Sequence, residues 1–197
     1  MVFGTTTRPK QYSIPTTGCY EEGFDYFFDG FILKQSLDAI EQRDKDKPFL
    51  LNAMFLAPHP PLDIPEPYYS LVKNIELPEN VGRWSDRQSP LQLYNLSGYF
   101  GTRYKREEWK EVWRVYAGLV ALLDHCVGEI INRLKQEDLY DNSIIVFTSD
   151  HGEMLGSHCL WQKMCMYEEA VHIPLSFKLP KGTEFQKSSS ELVSHLD

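Results

Sequence analysis

At 197 residues the chain is long enough for one ordinary domain with a sizeable core, and 42% hydrophobic with 13% aromatic residues is a globular composition, not a disordered one. A formal charge of −8 argues against nucleic acid as a general partner, because phosphate backbones are gripped by clustered Lys and Arg. No apolar run approaches the roughly 20 residues of a membrane span and no signal peptide opens the sequence, so compartment stays open.

Met1 to Gly30 is rich in Thr, Pro, Gly and Tyr and reads as irregular loop. Phe31 to Asp44 carries Ile32, Leu33, Leu37 and Ile40 at helical spacing, with the charged run Glu41 to Lys47 and then Pro48 as the stop. Phe49 to Leu56 reads as a buried strand that runs into Ala57-Pro58-His59-Pro60-Pro61. The prolines fix backbone direction, so His59 is held at the strand's carboxyl end. A lone His in a Pro-rich loop is ordinarily a turn residue, and its place beyond a strand end is what gives it a chemical reading. Leu62 to Arg106 has few periodic signals and many Pro, Tyr, Asn and Gly residues, the character of a segment that covers a site. For Tyr94, Tyr99, Thr102, Arg103 and Tyr104 within it, a structural role is the simpler reading.

The clearest helix is Glu107 to Gln136, where Val112, Val115, Tyr116, Leu119, Val120, Leu123, Val127, Ile130, Ile131 and Leu134 recur at three- and four-residue steps. Asp124 and His125 lie inside it, diverge by about 100 degrees around the axis and read as structural. Asp138 to Asn142 turns the chain into Ile144 to Phe147, a short β-branched and aromatic run suited to a buried strand. Asp150 and His151 follow where that strand stops, and Gly152 lets the backbone turn both toward the crevice beyond the sheet's carboxyl ends. Asp and neutral His are common metal ligands, although a lone pair of them means little. Lys163, twelve residues after His151, adds an ammonium to the same region. A cation on Asp150 and His151 beside Lys163 would make a positive pocket suited to an oxyanion. The four cysteines, Cys19, Cys126, Cys159 and Cys165, form no C-x-x-C pair; a Cys159–Cys165 bridge is an open alternative, and free thiols are the simpler reading. Ile173 to Leu179 is a further expected strand, and Lys181 to Ser190 an expected loop.

Thr-Ser-Asp-His-Gly-Glu-Met-Leu-Gly-Ser-His-x-Leu-Trp-x-Lys, ending at Lys163, resembles the metal and substrate motif of the sulfatases within the alkaline phosphatase superfamily, nearest the bacterial choline-sulfatase-like and phosphonate monoester hydrolase group. Pro58-His59-Pro60-Pro61, Pro65-Glu66-Pro67-Tyr68-Tyr69 and Gly23-Phe24-Asp25-Tyr26-Phe27 are similar to further landmarks of that family. So is Tyr167 to Leu175, except that His172 stands where many relatives carry Arg. The resemblance implies an α/β fold, an alkaline-phosphatase-like three-layer α/β/α sandwich with a mostly parallel mixed sheet, of which this chain would be the central part of one catalytic domain. It implies that Asp150 and His151 ligate one divalent cation. Lys163 would bind sulfate oxygens, and His59 would contact the ester and protonate the leaving group. Calcium is the family's cation, whereas an imidazole ligand is more at home with manganese or zinc. The family's formylglycine nucleophile arises from a Cys-x-Pro/Ala-x-Arg motif; Cys19, followed by Tyr20, Glu21 and Glu22, is not that motif. The nucleophile is therefore expected in a missing N-terminal part, with this stretch inactive alone. Hydrolysis of a small-molecule or carbohydrate sulfate ester is the leading expectation. A phosphonate monoester or phosphodiester hydrolase is the rival enzyme, and a non-catalytic sulfate- or metal-binding domain the rival of another class. A mutase or pyrophosphatase of the same superfamily ranks last.

Overall fold

The computed structural model describes residues 14–184 and 188–196, so part of the expected N-terminal loop, residues 185–187 of the later loop and Asp197 lie outside the described residues. In chain order the elements are strand β1 (Thr17–Cys19), helix α1 (Phe28–Glu41), strand β2 (Leu62–Ile64), helices α2 (Tyr68–Leu71), α3 (Leu96–Gly101) and α4 (Arg106–Gln136), strand β3 (Ile145–Thr148), helix α5 (Glu168–Val171) and strand β4 (Leu175–Lys178). Single 3-10 turns at Phe24–Tyr26, Pro90–Tyr94 and Tyr140–Asn142 complete the list.

The core is built on α4. Trp109, Val112, Val115, Leu119, Leu122 and Cys126 lie on one stripe and are essentially inaccessible. They pack against α1, α2 and the β1–β2 pair. Burying each such side chain stabilises by about 1.5–3 kcal/mol, which fastens the helix to the layer beneath it. The charge pattern agrees with the helix dipole: Glu107 and Glu108 occupy the first turn, Arg133 and Lys135 the last. Glu108 also accepts the Lys105 amide at 2.8 Å and closes the N-terminus. Although α4 is long and apolar enough by composition to cross a bilayer, its apolar stripe is the one that lines this core. On α1 the buried positions Asp29, Leu33, Ser36 and Ile40 face α4, three and four residues apart.

β1 and β2 pair in parallel, Thr17 with Leu62 and Cys19 with Ile64, while β3 and β4 pair antiparallel, Ile145 with Lys178 and Thr148 with Leu175. Two sequence expectations need correction. The first is that β3 would be buried: Ile144, Val146 and Phe147 are 63%, 50% and 40% exposed, because among the described residues β3 has β4 alone as a ladder neighbour. The second is that Phe49–Leu56 would be a strand. From Leu50 on its residues alternate between exposed and partly covered, as extended chain does, but no described strand lies alongside it and no ladder forms. Boundaries also move: α1 starts at Phe28 and not Phe31, and the stretch Leu62 to Arg106 contains β2, α2 and α3 where periodicity gave no sign. The four cysteines are free thiols.

Candidate functional site

His59 and Lys163 meet: Lys163 Nζ stands 2.7 Å from His59 Nε2 across 104 residues of sequence. His59 Nδ1 lies 2.6 Å from the Pro60 carbonyl oxygen, which can only accept, so Nδ1 carries the proton and the Nε2 lone pair receives the lysine's N–H. The His151 ring sits edge-on to His59 with centroids 6.1 Å apart. His151 Nδ1 is likewise turned to a carbonyl, that of Gly152, at 2.8 Å, leaving its Nε2 free as a donor atom to a ligand. That Nε2 faces the exposed Asp150 carboxylate at 3.6 Å. One carboxylate, two imidazoles and one amine from two separate stretches thus lie side by side, past the end of β3 and past the end of the extended segment 49–56.

Burial holds the His59 pKa below the usual imidazole value, and the Lys163 and His151 charges push it the same way against the Pro60 hydrogen bond.

Lys163 owes its position to the loop 152–163, which is anchored at nearly every residue. The Gly152 and Glu153 amides donate to the Ala170 and Glu169 carbonyls at 2.8 Å each, and the Met154 amide to Gln162 at 2.9 Å. Trp161 N donates to Ser97 O at 3.0 Å, tying the loop to α3, and Trp113 Nε1 donates to Leu155 O at 2.7 Å, tying it to α4. Gly156 adopts φ +84 with its α-carbon face against the Trp109 ring, a place with no room for a side chain. Inside the loop the Glu153 carboxylate accepts from the Leu155 and Gln162 amides. Its carboxyl is enclosed, and burial pushes its pKa up to about 7, opposed by those amides and by Lys163.

Sequence reasoning passed over Glu153, His158 and Glu169. His158 stacks on Tyr167 at 4.4 Å and lies 3.5 Å from Glu169, which also accepts from Asn80 at 2.9 Å. The signal available was a Glu and a His inside an otherwise apolar loop. Of the residues read as structural, His125 packs on Phe24 and Tyr68, Arg103 lies 3.6 Å over Tyr99, Tyr104 packs on Trp109, and Thr102 Oγ1 donates to Gly98 O, while Tyr94 is exposed. His172 is exposed beside Glu168.

Two donor atoms 3.6 Å apart, one carboxylate oxygen and one imidazole nitrogen, fit neighbouring positions on a divalent cation whose bonds are about 2.0–2.6 Å. Among the described residues no group of three or more His, Cys, Asp or Glu is placed to complete such a shell.

A sulfatase family model matches residues 2–197. The arylsulfatase of Clostridium perfringens is 30% identical over 145 residues, covering 73% of this chain and 30% of that protein. The choline-sulfatase of Rhizobium meliloti is 32% identical over 157 residues, 76% of this chain and 31% of that protein. The phosphonate monoester hydrolase of Agrobacterium radiobacter superposes with a TM-score of 0.69 at 24% identity, covering 89% of this chain and 38% of that one, a likeness of fold. The chain thus spans about a third of the length of the curated relatives it matches.

Proposed function

The chain belongs to the sulfatase family, and from that premise we propose that it carries the metal- and oxyanion-binding half of an active site that hydrolyses sulfate monoesters. The observation that carries the reading is the 2.7 Å contact between Lys163 and His59 beside the His151 ring. Asp150 and His151 would hold the divalent cation through a carboxylate oxygen and the His151 Nε2. When bound, that ion supplies positive charge against the sulfate oxygens and the charge that develops in the transition state. Calcium is the family's expectation, and manganese or zinc suits the imidazole better.

Lys163 neutralises the non-bridging oxygens, which a compact ammonium does as a point charge. His59 faces the bridging oxygen with Nε2, because its Nδ1 is committed to Pro60. Once the Lys163 ammonium turns from His59 Nε2 to the sulfate oxygens, that nitrogen is open to carry a proton and hand it to the departing alkoxide as general acid. Cys-x-Pro/Ala-x-Arg does not occur among the 197 residues. The formylglycine nucleophile would come from sequence outside them.

The test is hydrolysis of 4-nitrophenyl sulfate by the full coding sequence and by its Lys163→Ala and His59→Ala variants. Losing one preorganised charge-stabilising group costs about 10²–10³ in kcat. Full activity in the Lys163→Ala enzyme would overturn the assignment, and turnover by the 197-residue chain alone would overturn the missing-nucleophile part. The His151 ligand also favours a second reading, a phosphonate monoester hydrolase. A higher kcat/KM on a phenyl phosphonate ester than on the sulfate would select it. Metal or sulfate binding without any turnover would select a non-catalytic domain.

A further inference from the structure

Asp29, in the first turn of α1, is 1% exposed, yet it is a carboxylate in an apolar layer. A buried carboxylate is costly unless its oxygens are bonded. One oxygen is: Oδ1 accepts from the Leu56 amide at 2.7 Å and from the Ala57 amide at 3.1 Å. The other, Oδ2, has no hydrogen-bond partner among the described residues. These two amides lie two and three residues before His59, at the close of the extended segment 49–56. Among the described residues that segment has no ladder neighbour, so nothing of the usual sheet kind fixes its end. The chain then turns, with the His59 amide donating to Leu56 O at 2.9 Å. The residue that anchors this turn through its carbonyl is thus the residue whose amide Asp29 holds.

We propose that Asp29 is a positioning residue for the candidate site: its buried carboxylate grips the Leu56 and Ala57 amides and so sets where the His59 imidazole stands against Lys163. The inference rests on the reading of His59 as a site residue. It assigns to α1, which carries none of the candidate site residues, the task of aiming that side chain. An imidazole displaced by 1 Å would no longer make a 2.7 Å contact with the lysine. Small misplacements of this kind are costly in catalysis.

The first measurement is amide hydrogen exchange on the chain itself. The Leu56 and Ala57 amides exchange slowly, and those of Asn52 and Met54, in the same unpaired segment, exchange fast. Equal fast exchange at all four overturns the proposal. The second is the nuclear Overhauser contact between the His59 ring and the Lys163 side chain. Asp29→Asn keeps an acceptor oxygen and preserves the contact and the His59 ring shifts. Asp29→Ala loses the contact and moves the His59 ring resonances, while those of His158, stacked on Tyr167 far along the chain, stay in place. An unchanged contact in a folded Asp29→Ala protein overturns the proposal, as does its loss in Asp29→Asn. If Asp29→Ala does not fold, the exchange pattern and the Asn variant decide. None of these readouts needs turnover, so a protein that passes them yet cleaves no sulfate ester leaves Asp29's role standing and removes only the functional reading.

Discussion

Gly156→Ala tests whether the Lys163 loop is pinned on α4 as its geometry requires. A Cβ at Gly156 would lie 2.4, 2.6 and 2.9 Å from three atoms of the Trp109 ring, against a comfortable carbon–carbon separation of about 3.5–4.0 Å. The ring has no room to yield, because Trp109 is fully buried and packs on Trp161 at 5.9 Å. Overpacking of this kind costs about 1–3 kcal/mol. The backbone at φ +84 adds about 1–2 kcal/mol for any residue bearing a Cβ. Together they remove about 2–5 kcal/mol, a large share of the roughly 5–15 kcal/mol that holds a domain folded. At about 2–4 °C per kcal/mol for a chain of this size, the melting midpoint falls by roughly 4–20 °C. Thermal unfolding followed by circular dichroism reads this directly. Gly128→Ala, on α4 with open space around the added carbon, is the internal comparison and raises stability by about 0.5–1 kcal/mol. A Gly156→Ala protein that melts within about 2 °C of the parent would refute the claim that the loop lies hard against Trp109.

Calorimetric titration of calcium, manganese and zinc into the protein should give a binding isotherm that Asp150→Ala and His151→Ala each abolish, and an isotherm unchanged in both variants rejects them as ligands. Alkaline pH should destabilise the fold through Cys126 and Tyr116, each pushed up to about 12 by burial, with the charges of Asp29 and Glu153 adding respectively. Folded values above the unfolded 9.0 and 10.0 mean that their contribution is intact below pH 9 and is lost as pH climbs toward 12. A melting midpoint constant over that window would contradict their burial. Arg106 donates to the carbonyls of Leu77, Pro78 and Val81 with one planar fork, which holds the segment that binds the Lys163 loop through Gly82 N and Asn80 O. Arg106→Lys keeps the charge but cannot span the three acceptors, so urea unfolding should show a loss of about 1–2 kcal/mol.

The long-period features of the fold were legible. α4 announced itself because a stripe repeating every three or four residues over 31 residues has no competing explanation. The candidate site residues could be named for a different reason, since Asp150, His151 and Lys163 sit in one continuous motif and His59 in a second. What escaped depended on partners remote in sequence. α3 is six residues long, and it stands through the Asn95 side chain on the Gly98 amide and through the Ser97–Trp161 exchange, neither visible as periodicity. Phe49–Leu56 has the composition of a strand, but a strand also needs a neighbour to bond, and composition cannot supply one. Asp29 and Glu153 were passed over because a carboxylate in an apolar stretch reads as an interruption until the amides it holds are known.

The two halves of the site are held by the same device. A lysine side chain carries about 2 kcal/mol of rotamer entropy, and an ammonium aimed at one imidazole must do without most of it. The loop that delivers Lys163 is accordingly an expensive one, with Leu155, His158, Cys159 and Gln162 all at φ between 44 and 66 besides Gly156. Each such non-glycine residue costs about 1–2 kcal/mol. The burial of Met154, Leu155, Leu160 and Trp161 offsets that cost, and the Glu153 carboxylate closes the loop's two ends on each other. On the His59 side, Asp29 holds the Leu56 and Ala57 amides with a single oxygen. Strained backbone on one side and a buried carboxylate on each side persist only where the surrounding structure over-determines them, and here they flank the Lys163–His59 contact. In a protein of net charge −8, that concentration of structure around one ammonium keeps a positive point fixed where the average field would repel an anion.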